Sequence, residues 1–347
     1  MTASFAIHRR ARQGSTKSAS SRILWLSACG VLLFLLSIAS LSVGTRTVDW
    51  VDIVAALHGH TSSIGEAAAS ARIPRTLLAV LAGGALGLAG AVMQGVTRNP
   101  LADPGLLGVN IGASLTVVIG IAWFGISSSD AYIWAATAGA GATAIFVYVI
   151  GSLGRDGPTP LKLALAGAAT SIAFASLVTA VILPRGDIAG GIRSWQIGGV
   201  GGATFERILP VLPFLITGLL LSFASARKLN SLALGDELAA GLGERVAWAR
   251  GIASLGAVLL CGATTAVCGP IGFVGLVVPH ACRLIVGVDH RWLLPVSTLC
   301  GSALLLAADI LGRIVARPSE IDVGIVTALI GGPFFIWIIR RQKVREL

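Results

Sequence analysis

Residues 72–114 read RIPRTLLAVLAGGALGLAGAVMQGVTRNPLADPGLLGVNIGAS. The first half is an apolar run long enough to cross a bilayer, and within it Ala79, Gly83, Gly87, Ala91 and Gly95 recur at every fourth position. On a helix that spacing gathers the small residues into one stripe, along which a second backbone can approach closely. The helix is therefore expected at the centre of a bundle. The run then breaks at Arg98-Asn99-Pro100-Leu101-Ala102-Asp103-Pro104-Gly105-Leu106-Leu107-Gly108, where prolines and glycines interrupt the passage to the next apolar segment. Irregular backbone at a membrane edge must be buried in protein or line a cavity, so this block is at least a structural hinge.

The rest of the chain extends the pattern. Of 347 residues, 55% are hydrophobic and only 12% charged, with 44 glycines and a mean hydropathy of +0.85. A soluble domain carries about 25% charged residues, so this composition cannot cover an aqueous surface. The fold class is all-α and polytopic, with no room for a large soluble catalytic domain. At about 20 apolar residues per crossing, spans are expected near 23–43, 74–96, 106–124, 131–153, 161–183, 208–226, 248–268, 271–288, 292–315 and 321–340, ten in all. Residues 23–340 are read as one transmembrane domain, flanked by a disordered basic tail at 1–22 and a short tail at 341–347. Leu26-Ser27-Ala28-Cys29 looks like a lipoprotein processing site, but only three apolar residues separate it from the basic tail. A signal sequence needs about 7–15 there, so the first helix is read as uncleaved.

An even number of spans puts both ends on one side, and 18 of the 26 Lys and Arg fall on that side. The acidic residues show no such bias. Because cations are retained on the inner face, both termini are expected in the cytoplasm, and the net charge of +10 reads as an orientation signal rather than a nucleic-acid footprint. One carboxylate, Asp309, falls inside a span; the reading is that it bonds a neighbouring helix or meets Arg313 one turn on.

Missing chemistry narrows the function. None of Lys17, Lys162, Lys228 and Lys343 follows a glycine, so there is no phosphate-binding loop of the GxxxxGK[ST] type. His8, His58, His60, His280 and His290 show no ligand spacing on a shared span, and His58 with His60 reads as a solvated loop pair; no metal site is expected. Cys29, Cys261, Cys268, Cys282 and Cys300 lie in apolar segments without a CxxC and read as small buried hydrophobes.

Two further features ask for partners. In the longest connection on the side of the termini, 229–246, Leu234, Leu238 and Leu242 share one helical face, with Asp236 and Glu237 in the first turn after Gly235. A lipid-surface helix would carry Lys and Arg there, so this short amphipathic segment, with nothing of its own to bury against, is read as meeting a cytoplasmic protein. On the opposite side Arg72 and Arg75 flank Pro74, and Arg313 lies near the outer end of the ninth span. Cations placed against the orientation rule suggest a binding role, with anchoring at the interface as the alternative.

Residues 72–114, together with GPIGFVGLVVPHACRLIVGVDHRWLLP (269–295) and DVGIVTALIGGPFFIW (322–337), resemble the FecCD/BtuC family of ABC importer permeases across essentially residues 23–340. That resemblance implies ten helices per subunit, a dimer with an identical or homologous permease, a cytoplasmic ATPase dimer and an extracytoplasmic binding protein, in a bacterial cytoplasmic membrane. It implies that Leu234, Gly235, Asp236, Glu237, Ala240, Leu242 and Gly243 belong to the segment coupled to the ATPase. It gives Arg72, Arg75 and Arg313 the role of receiving carboxylates of the binding protein. Trp195, Gln196 and Gly198 resemble the short outer helix that gates the pathway. The chain itself would hold no cofactor: ATP and Mg2+ would sit in the partner ATPase, and iron would pass as a chelate. TRNPLADPGLLGVN, RKLNSLALG and VGVDHRWLLP look most similar to ferric siderophore permeases of the ferric enterobactin type, with haem or cobalamin as alternative cargo. A gradient-driven secondary transporter would need titratable groups near mid-membrane, for which Asp309 is a thin supply, and an intramembrane enzyme would need a nucleophile and base that are not found.

Overall fold

A computed structural model describes residues 18–44, 48–100, 102–153 and 160–341, and every regular element among them is helical. Ten principal helices follow in order: α1 (Ala19–Ser42), α2 (Ile64–Thr97), α3 (Val109–Phe124), α4 (Ser129–Gly151), α5 (Pro160–Ile182), α6 (Phe205–Ala224, with a 3-10 turn at Leu209–Val211), α7 (Val246–Cys268), α8 (Val274–Val286), α9 (His290–Val315) and α10 (Val323–Arg341). Each falls on one of the ten expected apolar segments. Seven are long and apolar enough to cross a membrane; α3, α8 and the apolar part of α10 are shorter. The expected span 271–288 is thus a helix of only 13 residues, because Gly269 to Phe273 is not helical. The basic tail also ends sooner than expected: Ser18 caps α1 by accepting the Ser21 N–H, so residues 19–22 are helical. The rest of the 1–22 tail, and 342–347 of the other tail, lie outside the described residues.

Helix α2 has 34 residues and begins at a capping box, in which Ser63 and Glu66 bond each other's backbone N–H. At 1.5 Å per residue it is about 51 Å long, well beyond a hydrocarbon core of about 30 Å. Its first turns are flanked instead by a short helix, Trp50–Leu57, which buries Ile53 and Ala56 against Ala69. From Leu78 to Val96 nearly every residue of α2 is buried, with α1, α7, α8 and α9 around it.

The stripe of small residues lies within this contact. A methyl group at Gly83 would strike the Gly301 carbonyl, and one at Gly87 the Ser297 carbonyl, both on α9. At Gly95 it would come 2.6 Å from His290 Nε2, and Ala91 is fully buried. In lipid there is no hydrophobic gain from bringing helices together, so this close approach, reinforced by the Ser302 hydroxyl donating to Val80 O at 2.6 Å, is what holds α9 to α2.

The hinge block after α2 folds back into protein. Asp103 caps the 3-10 turn Pro104–Leu107 by accepting the Gly105 N–H at 2.7 Å, and Pro104 and Gly108 are buried. Asn110, at the start of α3, accepts from Cys261 Sγ at 3.0 Å and from the Thr265 hydroxyl at 3.2 Å, both on α7.

Candidate functional sites at the two ends of the bundle

At the end where α1 stops and α2 enters, arginines converge. The last turn of α1 has unsatisfied carbonyls and no basic residue of its own. Arg313 Nη1 donates to Ser40 O and Val43 O at 3.0 and 3.1 Å, and its Nη2 to Ser40 Oγ at 2.7 Å. Arg72 Nη1 donates to Leu41 O and Ser42 O at 3.0 and 3.1 Å, and Arg317 to Gly44 O. Guanidinium groups carried on other helices thus supply the cationic C-cap that α1 lacks, where positive charge suits the helix dipole.

A carboxylate ties this group together. Asp309 accepts from Arg75 Nη2 at 2.8 Å and pairs with Arg313 Nη2 at 2.9 Å, while Arg75 Nη1 reaches Glu320 at 2.6 Å. The reading of Asp309 as a partner of Arg313 one turn away describes this pair, and Arg75 is an additional partner from α2. The Asp309 and Arg313 side chains are each only 2% exposed. Arg313 is therefore sealed inside the chain and offers nothing to an arriving protein in this conformation, and Arg72 is also buried. Their expected outward-facing placement is corrected on this point: the carbonyls of α1, invisible to a residue-type reading, engage them first. Of the three arginines expected at the docking surface, Arg75, joined to the exposed rim through Glu320, is the least buried.

The short helix expected to gate the pathway spans Gly186–Ile197, followed by Gly198 at φ 79°. Gly198 O accepts from Gly324 N at 2.9 Å, and Gly199 N donates to Cys268 O at 2.8 Å. The segment of Trp195, Gln196 and Gly198 is thereby pinned between the C-terminus of α7 and the N-terminus of α10. Trp195 lines a cavity of about 550 Å3 together with Tyr132, Arg207 and Asp322.

At the other end, residues 229–246 form more than one element. A helix at Ala226–Leu232 buries Leu229 and Leu232 completely, so this part does have a surface to bury against, contrary to expectation. Asn230 fixes it: its Nδ2 donates to Asp289 at 2.7 Å, and its Oδ1 accepts from the backbone N–H and ring Nδ1 of His290 at 2.9 and 2.8 Å. Burial works against the Asp289 carboxylate, but the hydrogen bonds from Asn230 and Arg291 N–H outweigh it and hold its pKa below the ordinary value. Asn230 and Asp289 lie in the stretches RKLNSLALG and VGVDHRWLLP, but nothing in either stretch shows that the two residues meet.

Gly235, at φ 108°, then turns the chain into a second helix, Asp236–Gly241. Leu234, Leu238 and Leu242 are 57%, 62% and 67% exposed, an apolar face that the bundle leaves uncovered. Glu237, Ala240 and Gly243 lie on the same exposed segment. Asp236 differs: one of its oxygens accepts from both Arg98 Nη2, at 3.0 Å, and Arg250 Nη2, at 2.8 Å. Arg98, itself at φ 52° where α2 ends, and Arg250 on α7 were missed because neither stands near Asp236 in sequence.

Among the described residues no group of three His, Cys, Asp or Glu is arranged to hold a metal ion. His58 donates its Nδ1–H to Val54 O at 2.8 Å. All five cysteines are free, and Cys29 Sγ lies 3.4 Å from Cys300 Sγ.

The model of the FecCD transport family matches residues 32–341. The ferric enterobactin transport system permease protein FepD of Escherichia coli (strain K12) is 44% identical over 317 residues, covering 90% of this chain and 93% of that protein. The Fe(3+)-citrate import system permease protein YfmD of Bacillus subtilis (strain 168) is 40% identical, covering 95% and 98%, and the hemin transport system permease protein HmuU of Yersinia pestis is 42% identical, covering 78% and 82%. A solved structure of a metal-chelate type ABC transporter in an inward-facing conformation superposes with a TM-score of 0.79 at 27% identity, over 92% of this chain and 99% of that one.

Proposed function

This chain belongs to the FecCD transport family, and on that premise we propose that it is the membrane-spanning permease subunit of an ABC importer that moves a ferric siderophore across the bacterial cytoplasmic membrane. The observation that carries this reading is the 44% identity to a ferric enterobactin permease along nearly the full length of both chains. The geometry agrees with a subunit that does no bond chemistry: among the described residues the ion-paired groups lie at the bundle ends, and the buried carboxylate–arginine group of Asp309 caps a helix.

The Lys and Arg distribution supports termini in the cytoplasm, which places Asp236–Gly241 there too. In this reading a partner ATPase, holding ATP and Mg2+, seats the exposed face of Leu234, Leu238 and Leu242, and its movement reaches the bundle through two rigid links. One is Asp236 on Arg98 and Arg250; the other is Asn230 on the N-terminus of α9. A second permease, identical or homologous, completes the pathway, and Trp195 and its neighbours gate the outer mouth. A binding protein delivers the chelate to the outer face. There Glu320 occupies Arg75 until a carboxylate of the arriving protein exchanges with it, while Arg72 and Arg313 hold the platform from beneath.

The test is uptake of radiolabelled iron by a strain lacking the gene, offered as several ferric siderophores, with and without the gene restored. Selective loss of one siderophore, recovered on restoration, is the expected result. The similarity to ferric citrate and haem permeases supports a second reading in which one of those is the cargo. Normal siderophore uptake with loss of labelled ferric citrate or haem would replace the first reading by the second.

A further inference from the structure

The end of the bundle that carries Asp236 also holds a cavity of about 470 Å3 that none of the roles above uses. It lies between the C-terminal turn of α2, the C-terminal half of α4 and the N-terminal half of α7. Met93, Val96, Ala144 and Val258 form apolar walls, and exposed Ile145 and Leu255 border its opening. Its polar groups gather at one end, where α2 and α4 finish and α7 begins: Arg98, Arg250 and Tyr148.

Two observations point to a guest. The first is charge. Among the described residues Arg98 and Arg250 share the single carboxylate of Asp236, which leaves one positive charge uncompensated there, and Arg250 Nε is buried without an acceptor. A singly charged anion would complete the group. The second is space. Glycines facing a neighbouring helix ordinarily admit its backbone, as they do between α2 and α9. Gly141 on α4 and Gly251 on α7 also line this cavity, yet a methyl group at either would meet no atom within 4 Å. These two glycines keep an apolar slot open without a helix to fill it.

We propose that the cavity binds an anionic phospholipid, with the phosphate on Arg98 and Arg250 and one acyl chain between α4 and α7. Basic pockets between membrane helices at the cytoplasmic face suit such headgroups, and the volume is in the range of small-molecule sites, about 300–1,000 Å3. Because the same two arginines hold Asp236, the lipid sets how firmly the coupling helix is tied to the bundle. The proposal rests on the reading that this end faces the cytoplasmic leaflet. Its test reads lipid retention rather than iron uptake, so the two can fail separately.

The complex of this chain with its partner subunits would be exchanged into detergent with phosphatidylglycerol or phosphatidylethanolamine, and retained lipid counted by native mass spectrometry. The expected preference for phosphatidylglycerol is about fivefold for each arginine engaged. Arg98→Gln with Arg250→Gln should erase it. Gly141→Leu and Gly251→Leu keep both arginines, place a Cβ with no atom within 4 Å and the rest of the side chain in the slot, and should lose the lipid while the complex stays assembled, which covers the case in which the arginine variant fails to fold. Equal retention of the two lipids would overturn the proposal, as would unchanged phosphatidylglycerol binding in both glycine variants. Full displacement by inorganic phosphate, with no dependence on an acyl chain, would make the site one for the free anion and overturn it as well.

Discussion

The two ends of this bundle use the same residue types to opposite effect. At the end where α1 stops, the end proposed to face outward, Asp309, Arg75 and Arg313 form a group whose inner members are 2% exposed, and every guanidinium there also holds a backbone or a second carboxylate. At the opposite end, the one proposed to couple to an ATPase, Asp236 meets Arg98 and Arg250 with its side chain 45% exposed, beside three uncovered leucines. Burial decides the difference. A charge removed from water is held only by complete pairing, so the outer group is rigid; a half-solvated carboxylate can change partners at little cost. Under the proposed function, a subunit that keeps its fold while a partner pushes on one end needs both kinds of joint.

Breaking the buried joint should have the largest consequence. Asp309→Asn leaves Arg75 and Arg313 facing a neutral amide inside the bundle. Removing one partner of a buried pair costs about 3–5 kcal/mol, so a thermal unfolding midpoint in detergent should fall steeply. A midpoint unaffected by Asp309→Asn would show that the outer cluster is solvated and that the contrast between the ends is false.

A carboxylate at neither end sharpens the contrast. Asp103, in the block between α2 and α3, accepts the Gly105 N–H and faces Gly275, and no ion pair is seen for it among the described residues. Burial raises its pKa from 3.8 to about 6. A carboxyl whose pKa is raised on folding costs stability as pH climbs through the interval between its unfolded and folded values; above that interval the cost is constant. Asp103→Asn should therefore stabilise the chain at pH 7.5 by about 1–3 kcal/mol, and the advantage should shrink as pH falls from 6 towards 4. A pH-independent difference would mean that the carboxylate is paired after all.

Sequence reasoning reached most of this architecture. Hydropathy located all ten helices, and the four-residue spacing of Gly83, Gly87, Ala91 and Gly95 pointed to the central helix, because in lipid both signals are set by local composition. The sites were less legible, for a physical reason. Arg72, Arg75 and Arg313 stood out as cations on the wrong face, but what holds them is the carbonyl row at the end of α1, which every sequence has at every helix end. Likewise Asp236 was visible in its amphipathic turn, whereas Arg98 and Arg250 come to it only through the packing of α2 against α7. Asn230 is the extreme case: a polar residue in a connecting segment, identified only once the fold brings Asp289 and His290 within 3 Å.

The smallest expected change in stability comes from the exposed joint. Asp236→Asn removes a charge shared by two arginines that are themselves partly solvated, a class of pair that contributes about 0–1 kcal/mol. The unfolding midpoint should hardly move, and Leu229 and Leu232 keep their part of the segment buried regardless. Iron uptake should nevertheless drop, because the coupling helix would have lost its tie to α2 and α7 while ATP turnover in the partner continued. Adding Glu237→Gln tests the separation further: Glu237 has no ion pair among the described residues, so any additional loss belongs to contact with the ATPase and not to the tie within the chain. If Asp236→Asn instead destabilised the chain as much as Asp309→Asn, the coupling end would be as rigid as the outer one, and the exposed leucine face would move only with the whole bundle.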